Sequence, residues 1–120
     1  MDFQDSKAIY LQIADRICEN IMTGVYRDDE RIPSVRECAV DLQVNPNTAQ
    51  RAYEQLQQSE LIYLKRGMGY YVSPGAGARI IERRRGEFFN DTLPELLQEM
   101  RRLSVTPKEV AEHLEALDKE

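Results

Sequence analysis

The sequence predicts a mainly α fold, in which three helices and a two-stranded β-hairpin are followed by a helical tail. Apolar residues recur at helical spacing in three successive segments within the first sixty positions. Two short runs rich in aromatic and β-branched residues then flank a loop that contains two glycines. In the last thirty positions, leucines again recur at helical spacing. A chain of 120 residues is long enough for one small domain and an appendage.

The first helix is predicted from about Ser6 to Thr23, and Gly24 is expected to end it. The evidence is a series of isoleucines spaced four residues apart, which places them on one face of a helix: Ile9, Ile13, Ile17 and Ile21.

The second and third helices are predicted from capping residues and apolar faces. Ser34 and Glu37 have the spacing of a capping box, in which each side chain bonds the other's backbone N–H. Asn45 and Pro46 suit the N-cap and first position of the next helix. The buried faces are expected to be Val35, Cys38, Ala39 and Leu42, then Ala49, Ala52, Tyr53 and Leu56. The intervening turn is short, as a helix-turn-helix requires.

The hairpin is predicted from two strand candidates, residues 61–64 and 70–73, joined by a basic loop with two glycines. Of the adjacent Tyr70 and Tyr71, at least one is expected to face the core, because neighbouring strand residues point to opposite faces. Pro74 and the Gly-Ala-Gly run at 75–77 are expected to form a short flexible joint.

The tail is predicted to be helical, with apolar residues on two stripes. Thr106 and Glu109 form a second capping box, with Pro107 at the first helical position. Thr92 and Glu95 have the same spacing, so Pro94 either kinks one long helix from Ala78 to Leu103 or follows a new cap at Thr92. The stripes consist of Leu93, Leu96, Leu97, Met100 and Leu103, and of Val110, Leu114 and Leu117.

Composition excludes several classes of protein. With 42% hydrophobic and 31% charged residues, and without an apolar run of bilayer length, the chain is expected to be cytoplasmic and to have no membrane partner. The polar, acidic start at residues 1–5 is not expected to act as a signal peptide. Cys18 and Cys38 fall on apolar faces, and His113 is the single histidine. We therefore expect two buried thiols, no metal, no cofactor and no enzyme activity.

The spaced motifs together resemble a known family, the GntR-type bacterial transcription regulators, over about residues 8–73. The resemblance rests on Tyr10-Leu11-Gln12-Ile13, Ile21, Gly24, Ile32-Pro33-Ser34-Val35-Arg36, Thr48, Ala52-Tyr53, Leu56 and Gly67-Met68-Gly69-Tyr70-Tyr71-Val72. It implies a winged helix-turn-helix DNA-binding domain at residues 1–75. The run Val44-Asn45-Pro46-Asn47-Thr48 and the short tail are similar to the YtrA subfamily, which implies a helical dimerisation region at residues 76–120. The chain departs from the family pattern at Ala8, at Ser59-Glu60 and at Asp28-Asp29-Glu30, all away from the proposed DNA face.

The third helix is the expected recognition helix, because its polar face carries Asn47, Gln50 and Arg51. Thr48 can bond a phosphate near the helix start. The resemblance implies that Arg36 contacts the backbone and that the hairpin tip lies at the minor groove, through Lys65, Arg66, Gly67 and Gly69. Arg83-Arg84-Arg85 is expected to be a solvated surface rather than a third DNA patch.

The resemblance further implies a homodimeric repressor that binds an inverted-repeat operator in double-stranded DNA and controls a neighbouring operon, often one for an ABC transporter. The two tail stripes are the expected dimer contacts. An effector, if one exists, would bind at the dimer interface or between tail and DNA-binding domain, because the tail is too small for a sizeable pocket. The alternative is a winged-helix interaction module without sequence-specific DNA binding, which the net charge of −5 favours.

Overall fold

The computed structural model describes Phe3 and residues 7–120, which form two compact units, Met1–Ile81 and Glu82–Glu120. The first unit contains the three predicted helices and the hairpin. In chain order, the elements are α1 (Ile9–Met22), α2 (Val35–Leu42), α3 (Pro46–Gln58), β1 (Ile62–Lys65), β2 (Gly69–Val72), α4 (Ala76–Glu87), a π-helical turn (Phe88–Thr92), α5 (Leu93–Arg102) and α6 (Pro107–Asp118). The predicted winged-helix class, mainly α with a two-stranded β wing and a helical tail, is confirmed.

Helix α1 begins at Ile9, later than predicted, and the expected start at Ser6 lies outside the described residues. Ala8 is the N-cap, and its side chain cannot make a cap hydrogen bond. Its carbonyl accepts from the Leu11 and Gln12 N–H groups. Ile13, Ile17 and Ile21 are buried as expected, while Ile9 at the first turn is exposed. Gly24, at φ +85°, follows the helix end.

Both caps predicted for the helix-turn-helix are present. The Ser34 hydroxyl accepts from the Glu37 N–H, and the Glu37 carboxylate accepts from the Ser34 N–H. The turn between α2 and α3 closes through Gln43, whose φ of +54° lets the Val44 N–H reach the Ala39 carbonyl.

Tyr53 is only 1% exposed and contacts residues from three parts of the first unit. Its hydroxyl donates to the Pro33 carbonyl ahead of α2, and its ring meets the edge of Tyr70 on β2 with the centroids 5.1 Å apart. The core around it contains every predicted apolar residue of α3, namely Ala49, Ala52, Tyr53 and Leu56. Cys18 and Cys38 are buried and free, as expected.

The hairpin is a two-stranded antiparallel sheet, in which Ile62 pairs with Val72 and Lys65 with Gly69. The opposite edge of β2 is covered by the segment before α2: the Ile32 N–H bonds the Tyr70 carbonyl, and the Val72 N–H bonds the Glu30 carbonyl. The sequence did not predict this pairing. It anchors the base of the wing directly to the entrance of the helix-turn-helix.

The prediction of a flexible joint at residues 74–77 is wrong. Ala76 is fully buried at the start of α4, and the Gly75 N–H donates to the Asp28 carboxylate at 3.1 Å. Ile80, one turn further on, is 1% exposed and belongs to the same core. Helix α4 therefore starts against the core at Ala76, and Gly75 precedes it with φ +79°.

Pro94 lies in an uninterrupted helical run, since α4, the π-helical turn and α5 follow one another directly. Thr92 has helical backbone angles, and its side chain makes no cap hydrogen bond. The alternative of a new cap at Thr92 is therefore wrong. The π-helical turn lies where a proline, which lacks an N–H, perturbs the hydrogen-bond ladder. The second tail helix starts as predicted, with Thr106 and Glu109 forming the capping box.

Glu60 marks a position where the chain carries a side chain on a left-handed backbone, with φ +60°. Replacing Glu60 with glycine is expected to raise the free energy of unfolding by about 1 kcal/mol, because the strain of a non-glycine residue in this region is removed. Thermal melting against Glu60→Ala, which keeps the strain and loses the carboxylate, isolates the backbone effect. Equal stability of the glycine and alanine variants would contradict this explanation.

Candidate nucleic-acid interface

Helix α3 presents a polar face because its apolar residues all turn towards the core. Asn47 and Arg51 are exposed, while Thr48 and Gln50 are half-buried. The Gln50 side-chain amide donates to the Glu54 carboxylate one turn along, at 3.3 Å. The acid on this face is thereby engaged with a neighbour, and the amide oxygen of Gln50 stays available as an acceptor.

The N-terminus of α3 is capped by its own chain. The Asn45 side chain accepts from the Asn47 N–H at 2.8 Å, and the Asn45 carbonyl accepts from the Thr48 N–H. These two N–H groups have partners inside the protein. A phosphate at this end would therefore meet the Thr48 hydroxyl and the positive end of the helix dipole.

Arg51 stacks on an aromatic ring of the first helix. Its guanidinium carbon lies 3.9 Å from the centroid of the Tyr10 ring, the geometry of a cation–π contact. Tyr10 is half-buried and packs against the core. Sequence reasoning placed Tyr10 only within a family motif and assigned it no role, since helical spacing cannot show that the starts of two different helices meet.

The wing tip is a tight turn closed by the Met68 N–H bonding the Lys65 carbonyl at 2.9 Å. Gly67 has φ +79° at the third position of this turn, where a side chain would be strained. The Lys65 ammonium lies 4.3 Å from the centroid of Tyr71, whose ring stacks on Tyr63. Lys65 and Arg66 are both exposed, so the tip presents two cations to solvent.

Gly69 has φ +113°, which favours glycine, and it lies beside the Arg31 side chain. A Cβ on Gly69 would lie 3.1 Å from Nε of Arg31. The sequence predicts that this glycine allows DNA to approach the loop, and in the structure the Arg31 side chain lies on that side of the glycine. Arg31 also lies 3.8 Å from the Glu37 carboxylate.

Arg31 is a candidate that sequence reasoning missed. It is exposed and lies between the wing and the start of α2, where Arg36 is also exposed. The available signal was its position directly before the Ile32–Arg36 motif. The candidate DNA residues thus come from four segments of the first unit: the entrance to α2, the start of α2, the polar face of α3 and the wing tip.

The acidic turn at residues 28–30 has a structural role. Asp28 accepts from the Gly75 N–H, Asp29 accepts from the Tyr63 hydroxyl at 2.7 Å, and Glu30 accepts from the Arg27 N–H. The hydrogen bond to Asp29 raises the pKa of Tyr63. Asp28 and Asp29 thus link this turn to the start of α4 and to the wing, and Glu30 closes the turn itself.

The Glu37 carboxylate has a lowered pKa because it accepts from the Ser34 backbone and side chain, with Arg31 contributing further. A carboxyl group whose pKa is lower in the folded state than in the unfolded state stabilises the fold. This stabilisation is fully present when the pH is above the unfolded pKa of 4.5. This stabilisation is lost as the pH falls from 4.5 through the lowered value. We expect Glu37→Gln to reduce the loss of stability on acidification, measured by denaturant unfolding at several pH values. An unchanged pH profile would contradict the assignment.

Catalytic and metal chemistry find little support among the described residues. They contain no group of three or more His, Cys, Asp or Glu side chains arranged to hold a metal ion. Burial raises the pKa of the Cys38 thiol, so it is not an activated nucleophile. His113 is exposed on α6.

The second unit leaves most of its apolar stripe uncovered. Met100 is buried and Val110 is half-buried, while the six stripe leucines are exposed: Leu93, Leu96, Leu97, Leu103, Leu114 and Leu117. Phe88 and Phe89 in the π-helical turn are also about half exposed and meet edge to face. These two aromatic residues were missed in the sequence, because the π-helical turn interrupts the 3.6-residue spacing.

The family model for bacterial regulatory proteins of the gntR family matches residues 9–72. This chain belongs to the gntR family. The resemblance inferred from the spaced motifs is therefore confirmed, and the protein is a DNA-binding transcription regulator.

Individual gntR relatives extend the similarity into the tail. The HTH-type transcriptional regulator YhcF of Bacillus subtilis is 34% identical over 92% of this chain and 89% of its own length. The HTH-type transcriptional repressor YtrA of the same organism is 35% identical over 68% of this chain and 63% of its own. A crystal structure of a GntR-family regulator from Bacteroides thetaiotaomicron superposes with a TM-score of 0.78, at 42% identity, covering 93% of this chain and 97% of the other.

The gntR assignment places the protein in a family of regulators rather than enzymes. Among the residues that the structure describes, no helix has the length and apolar character needed to cross a bilayer.

Proposed function

We propose that this protein is a homodimeric repressor that reads an inverted-repeat operator in double-stranded DNA. Residues 1–75 would bind the DNA and residues 76–120 would hold the dimer together. The observation that carries the proposal is the polar face of α3, which exposes Asn47 and Arg51 on a helix whose other face is fully buried. Such a helix can enter the major groove while the core keeps its orientation fixed.

The proposed DNA contacts have distinct tasks. Arg51 and Gln50 would reach base edges, because both side chains can make paired hydrogen bonds to purines. Arg36 and Thr48 would bond phosphates, and the wing would place Lys65 and Arg66 along the minor groove. The proposed set is Arg36, Asn47, Thr48, Gln50, Arg51, Lys65, Arg66, Gly67 and Gly69.

The net charge of −5 is offset locally by cations on the proposed DNA face. In the acidic turn at residues 28–30, Asp29 bonds Tyr63 on the wing, Asp28 bonds the backbone before α4, and Glu30 bonds the backbone of its own turn. The Glu54 carboxylate on α3 is bonded to Gln50. Arg36, Arg51, Lys65 and Arg66 are exposed cations of the first unit. Charge at the interface, rather than the total, determines binding within a Debye length of about 8–10 Å.

The exposed stripe of the second unit supports the dimer. Six leucines and two phenylalanines are exposed on a segment of about forty residues, and a contiguous apolar surface is typical of an interaction site. A second copy offers the same apolar surface, and twofold dimers are the commonest oligomers. Two recognition helices related by a twofold axis would require half-sites about one helical turn apart, hence an inverted repeat.

The repressor role and the transporter operon rest on similarity. The relative YtrA is named a transcriptional repressor. The transporter operon is proposed only from the resemblance to the YtrA subfamily. The tail is too small to enclose an effector, so a ligand, if one acts, would bind where two protomers meet.

Hydroxyl-radical footprinting on the DNA upstream of the protein's own gene tests the proposal. We expect two protected half-sites with twofold symmetry and centres about 10 base pairs apart. One asymmetric footprint would overturn the dimeric reading. Uniform weak protection would favour the alternative of an interaction module.

A further inference from the structure

The ring of Tyr10 lies under the guanidinium of Arg51, with the guanidinium carbon 3.9 Å from the ring centroid. Tyr10 comes from the second residue of α1, and Arg51 from the second turn of α3. We propose that Tyr10 is a positioning residue, which orients Arg51 for base recognition without touching the DNA base itself. This inference rests on the proposed function of α3.

The ring is a fixed support. Tyr10 is half-buried and packs against the core of the first unit, where Ile13 and Ala14, the next turn of the same helix, are buried. A ring held by its own packing loses little freedom when a cation stacks on it. The contact therefore restricts the arginine more than the tyrosine.

Stacking leaves the hydrogen-bonding edge of Arg51 free. A guanidinium carries five N–H donors in its plane, and a ring against its face does not use them. Arg51 is exposed, so this edge is open to solvent. Two parallel donors in one plane match the O6 and N7 acceptors of guanine.

The neighbouring acid on α3 is hydrogen-bonded to a residue other than the arginine. Glu54, one turn further on α3, accepts from the Gln50 amide at 3.3 Å. Arg51 is thus held by an aromatic face rather than by a carboxylate, which would occupy its donors. The Arg51 side chain therefore loses less conformational entropy when DNA binds, because the ring already restricts it in the free protein.

The test compares Tyr10→Leu with Tyr10→Phe in binding to a duplex recovered from a randomised pool with the wild-type protein. The phenylalanine variant keeps the ring and is expected to bind like wild type. The leucine variant is expected to bind about 3- to 10-fold more weakly, the factor that corresponds to ordering one flexible side chain. Binding to an unrelated duplex and the salt dependence should be unchanged, because Arg51 would contribute there only as a charge.

A structural role for Tyr10 would give different results. In an Arg51→Ala background, Tyr10→Leu should cause no further loss of operator affinity. An equal loss in that background, or an equal loss in Tyr10→Phe, would overturn the proposal. Thermal melting of all variants identifies any loss of fold.

One measurement does not depend on DNA. The amplitude of motion of the Arg51 side-chain Nε–H, from NMR relaxation, should be restricted in wild type and Tyr10→Phe and increase in Tyr10→Leu. Free motion in wild type would overturn the positioning role. If the wild-type protein selects no sequence from the pool, the proposed function fails, and the inference fails with it as a statement about DNA. The NMR result then still reports whether the stack exists.

Discussion

Replacing Leu96 with glutamate is expected to convert the protein from a dimer to a monomer. Leu96 lies on the exposed stripe of α5 and is 44% exposed in the single chain. Burying a leucine side chain contributes about 1.5–3 kcal/mol, and a twofold interface counts each position twice. Because Leu96 is only 44% exposed before it dimerises, the lost burial is roughly 1–3 kcal/mol per dimer, or on the order of tenfold or more in the dissociation constant. Two carboxylates placed in the apolar interface add to this loss.

A charge-matched control exists on the same helix. Gln98 is exposed on α5 and lies about opposite Leu96 around the helix, at 100° per residue. Gln98→Glu should leave the dimer intact, as measured by sedimentation equilibrium. If both variants dissociate equally, or if the wild-type protein is a monomer at micromolar concentration, the stripe is not the dimer interface.

The second large effect is expected at Arg51. Arg51→Ala should weaken binding to the operator by an amount on the order of 1–3 kcal/mol and should relax the sequence preference. The physical reason is the loss of paired hydrogen bonds to one base, together with one positive charge. Dimerisation should be unaffected, because the residue lies in the first unit and the stripe in the second.

Two comparisons separate base reading from charge at Arg51. Arg101→Ala removes the same charge from an exposed position of the second unit and should change operator affinity little. Arg51→Lys keeps the charge but loses both the planar donor pair and the stacking geometry. Full activity of the lysine variant would mean that the side chain bonds a phosphate and does not read a base.

Local signals predicted the helix-turn-helix well. The capping box at Ser34 and Glu37, the Asn45 cap and the apolar face of α3 each depend on residues within one or two turns of each other. Such patterns can be recognised in the sequence alone, because helical spacing determines which residues share a face. Ala49, Ala52, Tyr53 and Leu56 are buried for this reason.

Contacts between distant segments could not be predicted in this way. The pairing of residues 30–32 with β2 joins segments that no periodicity connects. The glycines at 75 and 77 indicated a joint, but Ala76 is buried in the core and Asp28 accepts from the preceding backbone N–H. The residues around Pro94 were compatible with one long helix or with a new cap at Thr92. The helical backbone angles of Thr92 decide for the continuous helix.

The candidate site was predicted only in part, because some of its features are local in the sequence and others depend on packing. The polar face of α3 and the basic wing tip are local features. The contact of Arg51 with Tyr10, and of Arg31 with Gly69, depends on how separate elements pack. The DNA contacts assigned to these residues are predictions, and the substitutions of Arg51 and Tyr10 described above test them.

The central claim is sequence-specific recognition of DNA. Fluorescence anisotropy with a labelled duplex from the protein's own promoter region, at two salt concentrations and with an unlabelled unrelated duplex as competitor, tests it most directly. We expect tight binding that resists the competitor and weakens steeply as salt rises, because phosphate contacts supply affinity and base contacts supply specificity. Weak binding that the unrelated duplex removes as readily as the promoter duplex itself would contradict the claim.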